Sequence, residues 1–105
     1  MNAAIVDTDV VSMFFKGDTR ALAFRPHVTG RLLGISFMTL AELERWPLER
    51  RWGSARKGDL AQHLAQYIQT ADAWIAASAL FYQVPLITNN VQDFAMVEGL
   101  KLLTA

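Results

Sequence analysis

Four acids stand where alternating apolar runs and helical periods could bring them together. Asp7 ends the run Ala3-Ala4-Ile5-Val6, and Glu42 follows the run that closes at Phe37. Asp72 opens a helical stretch, and Asp93, with Asn90 beside it, follows Pro85-Leu86-Ile87-Thr88. Converging carboxylates repel and raise one another's pKa values unless a cation holds them. Oxygen ligands without cysteine or ligand-spaced histidine suit a hard cation, Mg²⁺ or Mn²⁺. Such an ion acidifies a bound water and stabilises charge on a phosphodiester in displacement. Thr8, Asp9, Thr39 and Thr88 are the polar neighbours expected to support the acids. Each acid also has a plainer reading. Asp7 and Asp9 can cap a helix, and Thr39-x-x-Glu42 has the form of a capping box. Asp72 in a first helical turn compensates the helix dipole, and Asp93 suits a surface turn. Spacing alone leaves both readings open.

Other chemistry finds little support. His27 and His63 lie far apart with no partner at ligand spacing, and both read as surface or core-edge residues. No serine sits in a Gly-x-Ser-x-Gly elbow, and no glycine-rich phosphate loop occurs. Trp46, Trp52 and Trp74 read as core or partner-facing anchors.

The elements that must position the acids follow from periodicity. Strands are expected near 3–7, 33–37, 85–88 and 100–103. Asp7-Thr8-Asp9 supplies caps for a helix through Phe15 that Gly17 closes. A second helix spans roughly 19–28. Thr39 opens another, with Leu40, Leu43 and Trp46, which Pro47 kinks or ends. Ser54 starts a helix through Leu60, Leu64 and Tyr67, and Thr70 starts one carrying Trp74, Ile75 and Phe81. Strands alternating with helices imply a mainly parallel sheet covered on both faces. In such sheets chemistry gathers outside the carboxyl ends of the strands.

At 105 residues the chain is read as one domain spanning 1–105. With no cysteine, disulfides, thiolate zinc sites and a cysteine nucleophile are excluded, and a reducing cytoplasm fits. No membrane span or signal peptide is expected. Ten basic and ten acidic side chains cancel, which excludes a nucleic-acid binder acting through bulk charge. The charge is uneven, however. Arg45, Arg50, Arg51, Arg56 and Lys57 stand against Glu49 alone between residues 45 and 57. This strip is either a solvated helix face or a phosphate-contacting surface beside the acids.

Several blocks resemble PIN-domain ribonucleases. Ile5-Val6-Asp7-Thr8-Asp9-Val10-Val11-Ser12 looks like the family's opening, and Ile35 to Leu43 like its second acidic block. Ala71-Asp72-Ala73-Trp74-Ile75-Ala76-Ala77-Ser78 looks like the third. Pro85 to Phe94, followed by Val97-Glu98-Gly99-Leu100, looks like the last. The blocks keep the family's order over nearly the whole chain, and they are most similar to VapC-type toxins of bacterial toxin–antitoxin pairs. The resemblance implies a PIN-like three-layer α/β fold and metal-dependent endonucleolytic cleavage of RNA. It also implies inhibition by a cognate antitoxin protein and frequent homodimers. By position, Asp7, Glu42 and Asp72 match the family's metal-holding acids, and Asn90 and Asp93 share its variable fourth place. One departure stands out: Tyr67-Ile68 runs almost directly into Thr70-Ala71-Asp72, where the family has a further strand and helix. About 25 residues look absent, with Tyr67-Ile68 as the stub of the strand. The helices on either side are then expected to meet in an abrupt turn or run on as one. The competing function is therefore a catalytically weak or inactive remnant that binds a partner protein or itself. A third class is a phosphatase-like fold with Asp7 as phosphoryl acceptor.

Overall fold

The strand Ala3–Val6 (β1) is the middle member of a five-stranded sheet. The computed structural model describes residues 2–70 and 74–105. After β1 come α1 (Thr8–Lys16), α2 (Ala21–Val28), β2 (Leu32–Ser36), α3 (Phe37–Glu49) and α4 (Ser54–Leu64). Then follow β3 (Ile68–Thr70), α5 (Ile75–Tyr82), β4 (Leu86–Ile87), α6 (Val91–Phe94) and β5 (Leu102–Leu103). The strands lie in the order β3-β2-β1-β4-β5, and every pairing is parallel. The fold is the PIN-like α/β arrangement that the resemblance implies.

Alternation along β1 divides the core, because successive side chains leave a strand on opposite faces. Ala4 and Val6 join Val10, Val11, Phe24, Ile35, Leu43, Leu60 and Ile87 on one face, under α1 to α4. Ile5 goes to the other, with Ala79 of α5 and Leu86. The first layer is thick and the second thin. On the thin side, Leu32, Gly34, Ile68 and Tyr82 border an open cleft of about 490 Å³.

α1 forms as expected. Asp7 is its N-cap, and Gly17, at φ 67°, returns its N–H to Met13 and Phe14, a conformation that glycine adopts without Cβ strain.

Four expectations are corrected. α3 begins at Phe37 rather than Thr39, because the Ser36 hydroxyl accepts from the Thr39 N–H (3.2 Å) and so caps the helix. Thr39 is therefore the third helical residue, and the Thr39–Glu42 capping box does not form. Of the two outcomes expected at Pro47, a kink or an end, the end is excluded, since α3 runs on to Glu49. The segment Ile68–Thr70 is an edge strand, pairing Gly34↔Ile68 and Ser36↔Thr70. Helix α4 thus stops at Leu64, and neither an abrupt turn nor a continuous helix joins it to α5. Thr70 belongs to β3, and helix is described only from Ile75.

Candidate active site

The first four strands each end in a short polar residue: Asp7 after β1, Ser36 in β2, Thr70 in β3 and Thr88 after β4. Because the strands are parallel, these residues share one edge. Strand order reverses beside β1, whose neighbours are β2 and β4, and such switch points are where α/β sheets bind ligands.

Asp7 occupies that point and is 7% exposed. Its Oδ1 accepts from the Thr8 N–H at 2.7 Å, and its Oδ2 accepts from the Thr88 hydroxyl at 2.8 Å. Thr88 Oγ1 in turn accepts from the Asn90 N–H at 2.9 Å. Burial pushes the Asp7 carboxyl above its usual range, against the lowering effect of the bonds from Thr88 and Thr8. The charges of Asp9 and Asp93 push it further the same way. Asp7 is a desolvated carboxylate with two acids in its field, the condition a divalent cation relieves.

A second set of hydroxyls extends the edge toward β2. The hydroxyls of Thr8 and Thr39 lie 2.8 Å apart, and those of Thr39 and Ser36 3.2 Å apart. Thr70 and Ser78 hydroxyls meet at 2.8 Å, and Ser78 also donates to the Trp74 carbonyl. Ser36, Thr39, Thr70, Ser78 and Thr88 are all buried. Among the described residues no buried side-chain polar atom lacks a partner. Sequence reasoning picked out Thr8, Thr39 and Thr88 but missed Ser36, Thr70 and Ser78. For Ser36 the available signal was a small hydroxyl residue closing an apolar run; Thr70 follows Gln69 and Ser78 lies inside α5, and neither carries that signal.

The other acids are placed less tightly. Asp93 lies on α6 and Asp9 in the first turn of α1, both exposed. Glu42 is exposed in the second turn of α3, not the first. It stands three residues beyond Thr39 and hence on the same side of the helix. Asp72 lies outside the described residues. Among the described residues no three of His, Asp and Glu form a set that could hold a metal ion. A cation at this edge would have Asp7 as its buried anchor.

The basic strip lies elsewhere. Thr8 meets Thr39 at the start of the α1–α3 pair, while Lys16 stacks on Trp46 at its end (4.7 Å). The two helices therefore run side by side away from Asp7, and Arg50 lies about 20 Å from the start of α3. Arg50 stacks on Trp46 (4.9 Å) and Arg56 on Trp52 (4.1 Å). Arg45 pairs with Glu49 at 3.3 Å. Arg51 and Lys57 are exposed. Lys16 and Arg50 sit where α1 and α3 end, and their charge compensates the helix dipoles there.

Trp46 and Trp52 pack against the main core, whereas Trp74 is exposed. His27 Nε2 lies 3.0 Å from the Thr104 carbonyl. His63 packs against Phe15 and Tyr67. Both histidines stand where the sequence put them, at the margin of the core and away from Asp7.

No family model and no curated protein matches the sequence. Solved structures do match the fold. The chain is similar to one in VapBC2 from Rickettsia felis bound to a DNA fragment from their promoter. That likeness has a TM-score of 0.77 and 18% identity over 98% of each chain. It is also similar to a chain of a toxin–antitoxin complex from Klebsiella pneumoniae, with TM-score 0.73 and 20% identity over 97% of each. A third likeness is to DNA-bound VapBC from Salmonella typhimurium, with TM-score 0.71 and 19% identity over 99% of this chain and 98% of that one. At these identities the likeness establishes a shared fold. Among the described residues no helix is long and apolar enough to cross a membrane.

Proposed function

We propose that the chain is a metal-dependent endoribonuclease, the toxin of a toxin–antitoxin pair. The observation that carries this reading is Asp7, a buried carboxylate at the sheet's switch point with both oxygens engaged and two further acids in its field. The fold shared with chains of solved toxin–antitoxin assemblies supports an antitoxin protein as partner. In this reading Asp7, Glu42, Asp72 and Asp93 hold Mg²⁺ or Mn²⁺, with Asn90 at the margin. The cation, when bound, stabilises charge on the phosphodiester and acidifies water. Thr8 and Thr88 keep the Asp7 oxygens aimed, while Thr39 holds Thr8. The Arg50, Arg51, Arg56 and Lys57 end of the molecule contacts RNA phosphates remote from the cleaved bond, with Arg45 at its border. Hydrolysis breaks one backbone P–O bond and forms another to the water oxygen.

The test is cleavage of single-stranded RNA by purified protein with Mg²⁺, with Mn²⁺ and with EDTA. Divalent-dependent cleavage that Asp7→Asn abolishes is the expected result. Cleavage that survives both EDTA and Asp7→Asn overturns the reading. A second reading, an inactive partner-binding module, draws on the fold shared with chains of solved toxin–antitoxin assemblies. Antitoxin capture without any cleavage by the wild-type chain would favour it.

A further inference from the structure

Trp74 stands at the acidic edge with an open ring. It is 75% exposed, and among the described residues no ring or cation stacks on it. The other two tryptophans are covered: Phe15 and Arg56 lie on Trp52, and Lys16 and Arg50 on Trp46. Register fixes where Trp74 sits. Ile5 pairs with Gly34 and Ser36 with Thr70, so Asp7, Ser36 and Thr70 form one row across the strand ends. Two strand spacings separate Asp7 from Thr70, about 10 Å. The Thr70 hydroxyl meets that of Ser78, and Ser78 donates both its N–H (3.0 Å) and its hydroxyl (3.1 Å) to the Trp74 carbonyl. The Trp74 backbone is thus tied beside the end of β3. Phe37 and Met38, which follow Ser36, are 37% and 42% exposed, so this half of the edge offers apolar contact as well.

We infer that Trp74 stacks an unpaired base of the RNA, in a nucleotide close to the phosphate that meets Asp7. The choice of RNA as ligand rests on the nuclease reading, whereas the platform itself rests on where Trp74 stands. Every base has a π-face, and an exposed indole is a sequence-tolerant surface for it. A base within a duplex is not available in this way, since its faces are already stacked on its neighbours. Phosphate contacts made by the cations at the far end of α3 carry no information about the bases. Trp74 therefore separates unpaired from paired strands at the edge where the bond is cut. Substituting it costs the fold little, because Trp74 is the N-cap of α5 and makes no side-chain cap bond.

The test follows tryptophan emission of the purified full chain while a single-stranded RNA decamer is added in EDTA, where cleavage is off. The decamer should quench the exposed indole, whereas the same RNA as a duplex, and inorganic polyphosphate, should not. Trp74→Ala should raise the dissociation constant for the decamer about 5- to 150-fold, the loss of one stacked base. Its salt slope should match that of the wild type, because a neutral ring releases no counterions. Trp74→Phe should lose the quenching yet recover most of the affinity, and both variants should melt at the wild-type temperature. A decamer that leaves wild-type emission unchanged overturns the inference. So does wild-type affinity in Trp74→Ala, or equal quenching by duplex or polyphosphate. Weakened capture of a co-expressed antitoxin by Trp74→Ala, with RNA affinity intact, also overturns it and assigns Trp74 to that protein. Quenching by RNA that Mg²⁺ never converts into cleavage keeps the platform and removes the nuclease reading. Cleavage that Asp7→Asn abolishes, with no effect of Trp74→Ala on affinity, does the reverse.

Discussion

The Thr88 hydroxyl donates to Asp7 Oδ2 across 2.8 Å, joining residues 81 positions apart in sequence. The bond follows from strand register: Val6 pairs with Ile87, so the next residue on each strand meets at the sheet edge. Thr88→Val keeps the shape and removes the donor, leaving a buried carboxylate oxygen without this partner. The expected cost is about 1–3 kcal/mol, or roughly 4–8 °C of melting temperature per kcal/mol. Thr88→Ser should restore most of it. Affinity for a divalent ion, followed by calorimetry, should fall about 10- to 100-fold in the valine variant.

Asp7→Asn should abolish divalent-dependent cleavage yet raise the melting temperature of the metal-free chain at neutral pH. Asp7 has a raised pKa when folded, so between 3.8 and that value the folded chain binds more protons than the unfolded one. Stability then falls as pH rises through this window, and the cost is complete above it. The asparagine variant removes this dependence. Melting curves of both proteins from acid to neutral pH check the sign: their difference should grow with pH.

His63 acts in the opposite sense. Burial against Phe15 and Tyr67 lowers its pKa below 6.5, so the unfolded chain binds the extra proton first. Stability should therefore fall as pH drops from 6.5 toward the folded value. His63→Phe should flatten this fall, and denaturant midpoints on either side of pH 6.5 measure it.

If the basic end contacts RNA, replacing Arg50 and Arg51 together by alanine should reduce the log–log salt slope of single-strand binding by about 1.4, at roughly 0.7 per lost contact. An unchanged slope would leave dipole compensation as the role of Arg50.

The central strands were readable in the sequence because β1, β2 and β4 lie in short, mainly aliphatic runs bounded by polar or turn residues. β3 was legible only as a strand stub at Tyr67-Ile68: Ile68-Gln69-Thr70 is a three-residue edge strand of which only Thr70 is buried, so its extent carries no alternation to read. The start of α3 was misread because Ser36 is at once the last strand residue and the helix cap, and only the second role fixes the turn on which Glu42 stands. Asp7 was legible as the end of a strand. Its partnership with Thr88 was not, since that depends on which strands become neighbours.

Gly34 lies between these regions. A Cβ there would meet Ile5 Cδ1 at 3.1 Å and the Ile68 carbonyl oxygen at 3.3 Å. The isoleucine can yield, but the carbonyl belongs to the paired backbone of β3. Gly34→Ala should therefore loosen β3 and cost about 1–3 kcal/mol, the usual range for overpacking. Amide exchange at Ile68–Thr70 should accelerate more than at β1.

The contact of Thr8 with Thr39 and the stack of Lys16 on Trp46 tie α1 to α3 at both ends, whereas α6 buries no side chain. The rim around Asp7 is thus uneven in time as well as in space. Opening on the α6 side uncovers the partly buried Phe94 and the thin core, while opening between α1 and α3 requires breaking into the larger main core and costs more free energy. Asp93 rides on the labile side and Asp7 on the stable one. The distance between these two acids is therefore expected to vary more than the spacing of α1 and α3.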